Sequence, residues 1–242
     1  PQSDGNFYEI NTFSMLIGER LGFQLAINTD EPLRFTVSGD ENIKISSYNI
    51  GFVPSKKPFY DDHDDDIIES PDGYYPDVLY PTDNGEVEFV NGGWCSVWFE
   101  AEAEKAGINN VVITLFNEDN DEVTKAVVEL KVINAVLPEQ ELIHTNWFHC
   151  DCLATWYGVE AFSDEHWQII ENYMRAGNAH GLNMILTPLF TPPLDTAVGG
   201  ERPTMQLVDV TVTGKNEYSF DFDKLGRWFE TALRSGMKWF EL

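Results

Sequence analysis

Apolar and polar residues alternate at a period of two through the first 136 positions. GFQLAINTD (22–30), LRFTVSG (33–39), NIKISSYNIGFV (42–53), EVEFVNGGWCSVWFEAEAE (86–104), NNVVITLFN (109–117) and TKAVVELKVINA (124–135) each put their apolar side chains on one side of an extended chain. Turn formers separate them at Asp30-Glu31-Pro32, Gly39-Asp40, Asn91-Gly92-Gly93 and Glu118-Asp119-Asn120-Asp121. Strands at regular spacing with no helix between them predict a β-sandwich over residues 1–136. The stretch YDDHDDDIIESPDGYYPDVLYP (60–81) breaks the pattern. It is too rich in Pro, Gly and Asp for a central strand, and its aromatics and prolines are expected to pack a long loop against a neighbour.

The period changes after the linker NAVLPEQ, so that residues 137–242 form a second region. ELIHTNWFH reads as a strand. FSDEHWQIIENYMRAGNAHG reads as a helix with Ser163 as N-cap, His166 three residues on, an apolar face of Trp167, Ile170, Tyr173 and Met174, and a stop at Gly181. NMILTP is a second strand. MQLVDVTVTGKNEYSFDF alternates about Gly214-Lys215-Asn216 as a hairpin. DFDKLGRWFETALRSG is a second helix with Leu225, Trp228, Phe229 and Leu233 on one face, ended by Gly236, and MKWFEL is a third strand. Strands alternating with helices predict βαβ units and a parallel sheet. A complete (β/α)₈ barrel takes about 250 residues, so the predicted fold is a β-sandwich followed by an incomplete (β/α)₈ TIM barrel.

Composition narrows the partners. The 242 residues carry a formal charge of −26, which repels nucleic acid and anionic membrane and suits a neutral ligand. No run is long enough to span a bilayer. Cys95, Cys150 and Cys152 are an odd number, and a bridge between Cys150 and Cys152 would be strained. Free thiols favour the cytoplasm, while a chain opening at Pro1 rather than Met leaves secretion open. For the acidic run Asp61-Asp62-His63-Asp64-Asp65-Asp66, a solvated loop is favoured over a calcium site, because the spacing of an EF-hand is absent.

Barrel enzymes place functional residues at the carboxyl ends of strands. That rule selects His149 and Asp151 after the first strand, Thr191 and Asp195 after the second, and Glu241 at the end of the third. In an extended chain His149 and Asp151 share a face and can bond sugar hydroxyls. Trp156 and Tyr157, in the loop ATWYG, suit the apolar face of a pyranose, whereas Trp147 in mid-strand reads as core. Pro188, Pro192 and Pro193 stiffen the second rim loop, and Arg202 is expected to hold it by pairing with Asp195 or a neighbouring carboxylate. Spacing alone singles out no catalytic pair.

HCDCLATWYGVEAFSDEHW, NMILTPLFTPPLDTAVGGERPTMQLVDV and YSFDFDKLGRWFETALRSGMKWFEL, with PDGYYPDVLYP and SVWFEAEAEKAGINN in the first region, resemble glycoside hydrolase family 123 and its relatives. The resemblance implies an N-terminal β-sandwich joined to the first part of the catalytic barrel. It also implies a carbohydrate substrate ending in β-linked N-acetylgalactosamine and a retaining, substrate-assisted mechanism without cofactor. In that mechanism an adjacent Asp-Glu pair lies on a later barrel strand. None of Asp30-Glu31, Asp40-Glu41, Asp121-Glu122 and Asp164-Glu165 matches it, so no catalytic residue is assigned and the chain is expected to be inactive alone. The other reading is a non-catalytic carbohydrate-binding or structural module. Either way an unclosed barrel leaves strand edges through which copies are expected to pair.

Overall fold

A computed structural model of the chain describes residues 11–29, 31–55, 72–82, 93–190, 198–200 and 203–242. The chain divides into two compact units, Pro1–Pro138 and Glu139–Leu242. Among the described residues the first is all-β, the second mixes strands with helices, and no sheet closes into a barrel.

The first unit holds β1 (Thr12–Ile17), β2 (Arg20–Thr29), β3 (Arg34–Gly39), β4 (Ile43–Ser55), β5 (Gly73–Pro81), β6 (Gly93–Ala103), β7 (Gly107–Phe116) and β8 (Glu122–Val136). They form two four-stranded sheets, β1-β8-β7-β3 and β2-β6-β4-β5. The period-two pattern sets which side is buried. Along β6, Cys95, Val97, Phe99, Ala101 and Ala103 all turn inward, to meet Val111, Ile113, Val128, Leu130, Phe35 and Met15 of the other sheet. Phe99 is fully buried at the centre, stacked on Phe23 at 5.4 Å and edge-on to Phe35 at 5.6 Å.

Two elements of the first unit were not foreseen. β1 runs parallel to β8, with Thr12 opposite Glu129. The PDGYYPDVLYP segment is not a packed loop: Gly73–Pro81 pairs antiparallel with β4. Its prolines exclude it from a central position, and it takes the sheet edge, where a missing N–H is tolerated. The acidic run 61–66 lies outside the described residues.

The second unit holds β9 (Thr145–Asn146), α1 (Asp151–Tyr157), α2 (Asp164–Ala179), β10 (Met184–Leu186), β11 (Asp209–Gly214), β12 (Glu217–Asp221), α3 (Asp223–Arg234) and β13 (Trp239–Glu241). β9, β10 and β13 form one parallel sheet in the order β13-β10-β9. β11 and β12 are the expected hairpin, with Val210 opposite Phe220 and Val212 opposite Tyr218 on one side. Ser163 caps α2, its hydroxyl accepting from the His166 N–H at 3.2 Å. Trp167, Ile170 and Met174 bury one stripe of that helix, while Tyr173 stays 44% exposed.

In α3 the buried residues are Trp228, Thr231 and Ala232, and Leu233 is exposed. At 3.6 residues per turn Leu233 sits about 80° round from Leu225, whereas Ala232 is about 20° from it. The smaller side chain therefore faces the sheet. Gly236, at φ +95°, turns the chain out of the helix, and a Cβ there would meet the Asn178 side chain at 2.4 Å. Asn178 occupies that space to donate to the carbonyls of Leu182 and Gly236.

An ion cluster joins α2 to α3. Glu171 accepts from Arg175 at 2.6 Å and from Arg234 at 2.7 Å. The Arg234 hydrogen bonds, then those of Arg175, hold the Glu171 carboxyl down to about 2. A depressed carboxylate stabilises the fold above its unfolded value of about 4.3 and loses that contribution as pH falls towards about 2. Glu171→Gln should thus cost about 1 kcal/mol near neutral pH and flatten the acid limb between those values, as read by urea unfolding at several pH values.

Candidate active-site face of the parallel sheet

Partners in a parallel sheet share a face, so the register assigns each side chain. Ile185 pairs with Phe240 and Asn146; Met184 pairs with Trp239 and Thr145; Leu186 pairs with Glu241. Ile185 and Phe240 turn towards the helices: Ile185 is buried, and the Phe240 ring meets Phe229 of α3 edge-on at 4.6 Å. The other set, Thr145, Met184, Leu186, Trp239 and Glu241, therefore occupies the face that a closed barrel would turn inward. Glu241 lies on it at the carboxyl end of β13.

Trp147 follows β9 and is not core. It is 60% exposed, and its indole Nε1 donates to Glu241 Oε2 at 3.2 Å. The side chain reaches past β10, which lies between β9 and β13. His149 stands half-buried beside it, the two rings edge-on at 6.5 Å. Trp147, His149 and Glu241 thus converge at the carboxyl ends of the strands: an aromatic plate, an imidazole and a carboxylate. This set can stack on a pyranose face while bonding its hydroxyls. Reading ELIHTNWFH as one long strand hid the exposure of Trp147. The ladder covers only Thr145–Asn146, and an exposed Trp just beyond a short strand is the signal that was missed.

The other selected residues are placed differently. His149 and Asp151 do not share a strand face, because Cys150 is already in helical conformation at φ −70°, ψ −11° and Asp151 opens α1. Trp156 and Tyr157 lie on α1 rather than in a loop. Trp156 is 83% exposed. The Tyr157 hydroxyl is 3.3 Å from that of Tyr173 on α2, which ties it to the helix layer. Thr191, Asp195 and Arg202 lie outside the described residues. Cys150 is buried and Cys152 exposed, with no disulfide. Burial, reinforced by the neighbouring Asp151 charge, pushes the Cys150 thiol up to about 12. Among the described residues no group of three or more His, Cys, Asp or Glu could hold a metal ion, and none of the described helices is long and apolar enough to cross a membrane.

His166 fixes the segment that carries this site. It is fully buried; its Nδ1 accepts from the Phe162 N–H at 2.9 Å and its Nε2 donates to the Cys150 carbonyl at 2.9 Å. These partners define a neutral ring, since a second proton would point at the Phe162 N–H. The interaction ties the start of α1 to the start of α2.

Residues 147–241 match the family model described as "Glycoside hydrolase 123, catalytic domain". The match lies within the second unit, which is similar to part of a glycoside hydrolase 123 catalytic domain. A solved family 123 glycoside hydrolase from Clostridium perfringens, described for glycolipid glycan hydrolysis, is similar over 96% of this chain at 16% identity, with a TM-score of 0.69. At that identity the likeness shows the fold, and the chain spans 42% of the length of that hydrolase. Two smaller proteins match 51% and 57% of the chain, WR4, an MSP family member of C. elegans (12% identity, 93% of its own length), and the CooA pilin subunit of enterotoxigenic Escherichia coli (14% identity, 97%). Their TM-scores of 0.28 and 0.30 carry no argument about this chain. No curated protein matches it. Within the glycoside hydrolase 123 segment, Trp147 and Glu241 stand at the two ends of the matched span and meet at the strand termini.

Burial lowers the pKa of His166, outweighing the bond to Cys150. Its neutral form stabilises the fold fully above the unfolded value of about 6.5, and that contribution falls as pH drops below it towards the folded value. His166→Gln should cost about 1–3 kcal/mol at pH 8 and remove this part of the pH dependence, as measured by thermal unfolding between pH 5 and 8.

Proposed function

We propose that the second unit is the sugar-holding opening section of a glycoside hydrolase that acts on terminal β-linked N-acetylgalactosamine, and that these 242 residues bind the sugar without cleaving it. The observation that carries the reading is the Trp147–Glu241 pair, an aromatic plate hydrogen-bonded to a carboxylate at the carboxyl ends of parallel strands. A neutral sugar also suits a chain of charge −26.

The proposed reaction is retaining and substrate-assisted: the 2-acetamido oxygen attacks the anomeric carbon, one carboxylate orients that group, and another acts as acid and then base. Sequence-adjacent carboxylates in the described residues do not meet this need. Asp40-Glu41 lies in the turn after β3, Asp121-Glu122 at the start of β8, and Asp164-Glu165 in the first turn of α2. Glu241 is assigned to substrate contact, since its carboxylate is already engaged by the Trp147 indole.

Aryl β-N-acetylgalactosaminide should stay intact with this chain and be cleaved by a form extended past Leu242. N-acetylgalactosamine binding to the present chain should weaken about tenfold in Trp147→Ala, the loss of one stacking contact, as measured by calorimetry. Cleavage by the 242-residue chain, or binding indifferent to Trp147→Ala, would sink the reading.

We further infer that copies pair through the outer edges of β9 and β13, each of which has a single neighbour among the described strands. Light scattering at high protein concentration should report a dimer; a monomer would refute this.

A further inference from the structure

The outer face of the sheet β2-β6-β4-β5 carries a feature that packing of the sandwich does not require. β6 turns its odd-numbered residues into the core, so Trp94, Ser96, Trp98, Glu100 and Glu102 face away from it. Trp98 is opposite Gln24 on β2 and Tyr48 on β4. Its indole lies across Gly22, where a Cβ would come within 2.3 Å of Trp98 Cζ2. The glycine leaves the space on β2 that the indole occupies, and any other residue there would displace the ring. The ring is partly exposed, and its Nε1 is buried without a hydrogen-bond partner.

Polar groups occupy the outward positions beside it. The Tyr48 hydroxyl donates to Glu100 Oε2 at 3.4 Å. Arg20 reaches Glu102 at 3.2 Å and Glu100 at 3.8 Å. Ser46 and Lys44 oppose Glu100 and Glu102 from β4. Two cations thus balance two carboxylates in a chain whose total is −26, so this patch alone has no net reason to reject or select an ion. Trp94 continues the outward row four residues away, about 13 Å along the strand, and is 47% exposed. A partly exposed indole with carboxylates and a guanidinium on the neighbouring outward positions matches the two sides of a pyranose, apolar C–H groups on its face and hydroxyls around its edge.

We propose that this face of the sandwich is a second carbohydrate-binding site, in which the Trp98 indole stacks on one ring of a neutral glycan chain while Gln24, Arg20 and Glu100 bond its hydroxyls. The site uses only residues of the first unit, so it stands whether or not the second unit binds N-acetylgalactosamine.

The test is a titration of the ¹⁵N-labelled 242-residue chain, followed through the tryptophan indole N–H resonances. The probes are a β-1,4-linked N-acetylglucosamine tetramer and a β-1,4-linked glucose tetramer, both neutral, with a sulfated oligosaccharide as the charged comparison. The resonance missing from Trp98→Phe identifies Trp98. With either neutral probe it should shift saturably, and both Trp98→Ala and Gly22→Val should weaken the binding about tenfold. Circular dichroism checks that each variant is folded; the shift in the unsubstituted chain needs no variant. The proposal fails if neither neutral tetramer moves the Trp98 resonance, if only Trp147 responds, or if the sulfated probe binds more tightly than both.

Discussion

The edge-on contact between Phe240 and Phe229 at 4.6 Å decides which way Glu241 points. A three-residue strand has one alternation to spend. Once Phe240 is buried against α3, its neighbours Trp239 and Glu241 must face the other way. The same logic runs through Ile185 on β10, and the parallel register carries it to β9. The opposite surface, which carries Glu241, is in this sense the by-product of a helix-facing core. Trp228, fully buried, sits with Trp167, Ile170, Met174 and Ile185 in one cluster, and these apolar residues hold the face that the polar ones use.

Legibility from sequence differed between the two units for a physical reason. In the sandwich, alternation is a two-sided constraint sustained over six or more residues, and the six strands read from it are all present where the structure describes them. The parallel strands of the second unit are two or three residues long. Over so short a span apolar residues in the preceding and following segments mimic strand. ELIHTNWFH therefore looked continuous, although only Thr145–Asn146 pairs, and Trp147 was taken for core. The helices were legible where capping and stripe agreed, as at Ser163 with Trp167, Ile170 and Met174. α1 was missed because its seven residues show no stripe and no side-chain cap.

Of the candidate residues, His149 and Glu241 were chosen by their position at strand ends, and the structure brings both to Trp147. Asp151 was chosen on the premise of an extended segment after His149, and Trp156 and Tyr157 on that of a loop; helical backbone from Cys150 onward removed both premises. β5 shows the opposite case: proline content correctly barred Gly73–Pro81 from the sheet interior, but an edge position satisfies the same rule.

Helical backbone at Cys150 also makes two different reagents of two thiols two positions apart. Cys150 is sealed in the apolar cluster and held protonated, its value pushed to about 12. Cys152, one turn-step round α1, faces solvent with its sulfur 2.8 Å from the His149 carbonyl. An alkylating dye added to the folded chain thus meets Cys152 alone among the three cysteines, Cys95 and Cys150 being buried. A fluorophore so attached sits three residues from His149, a built-in reporter of what arrives at the strand ends.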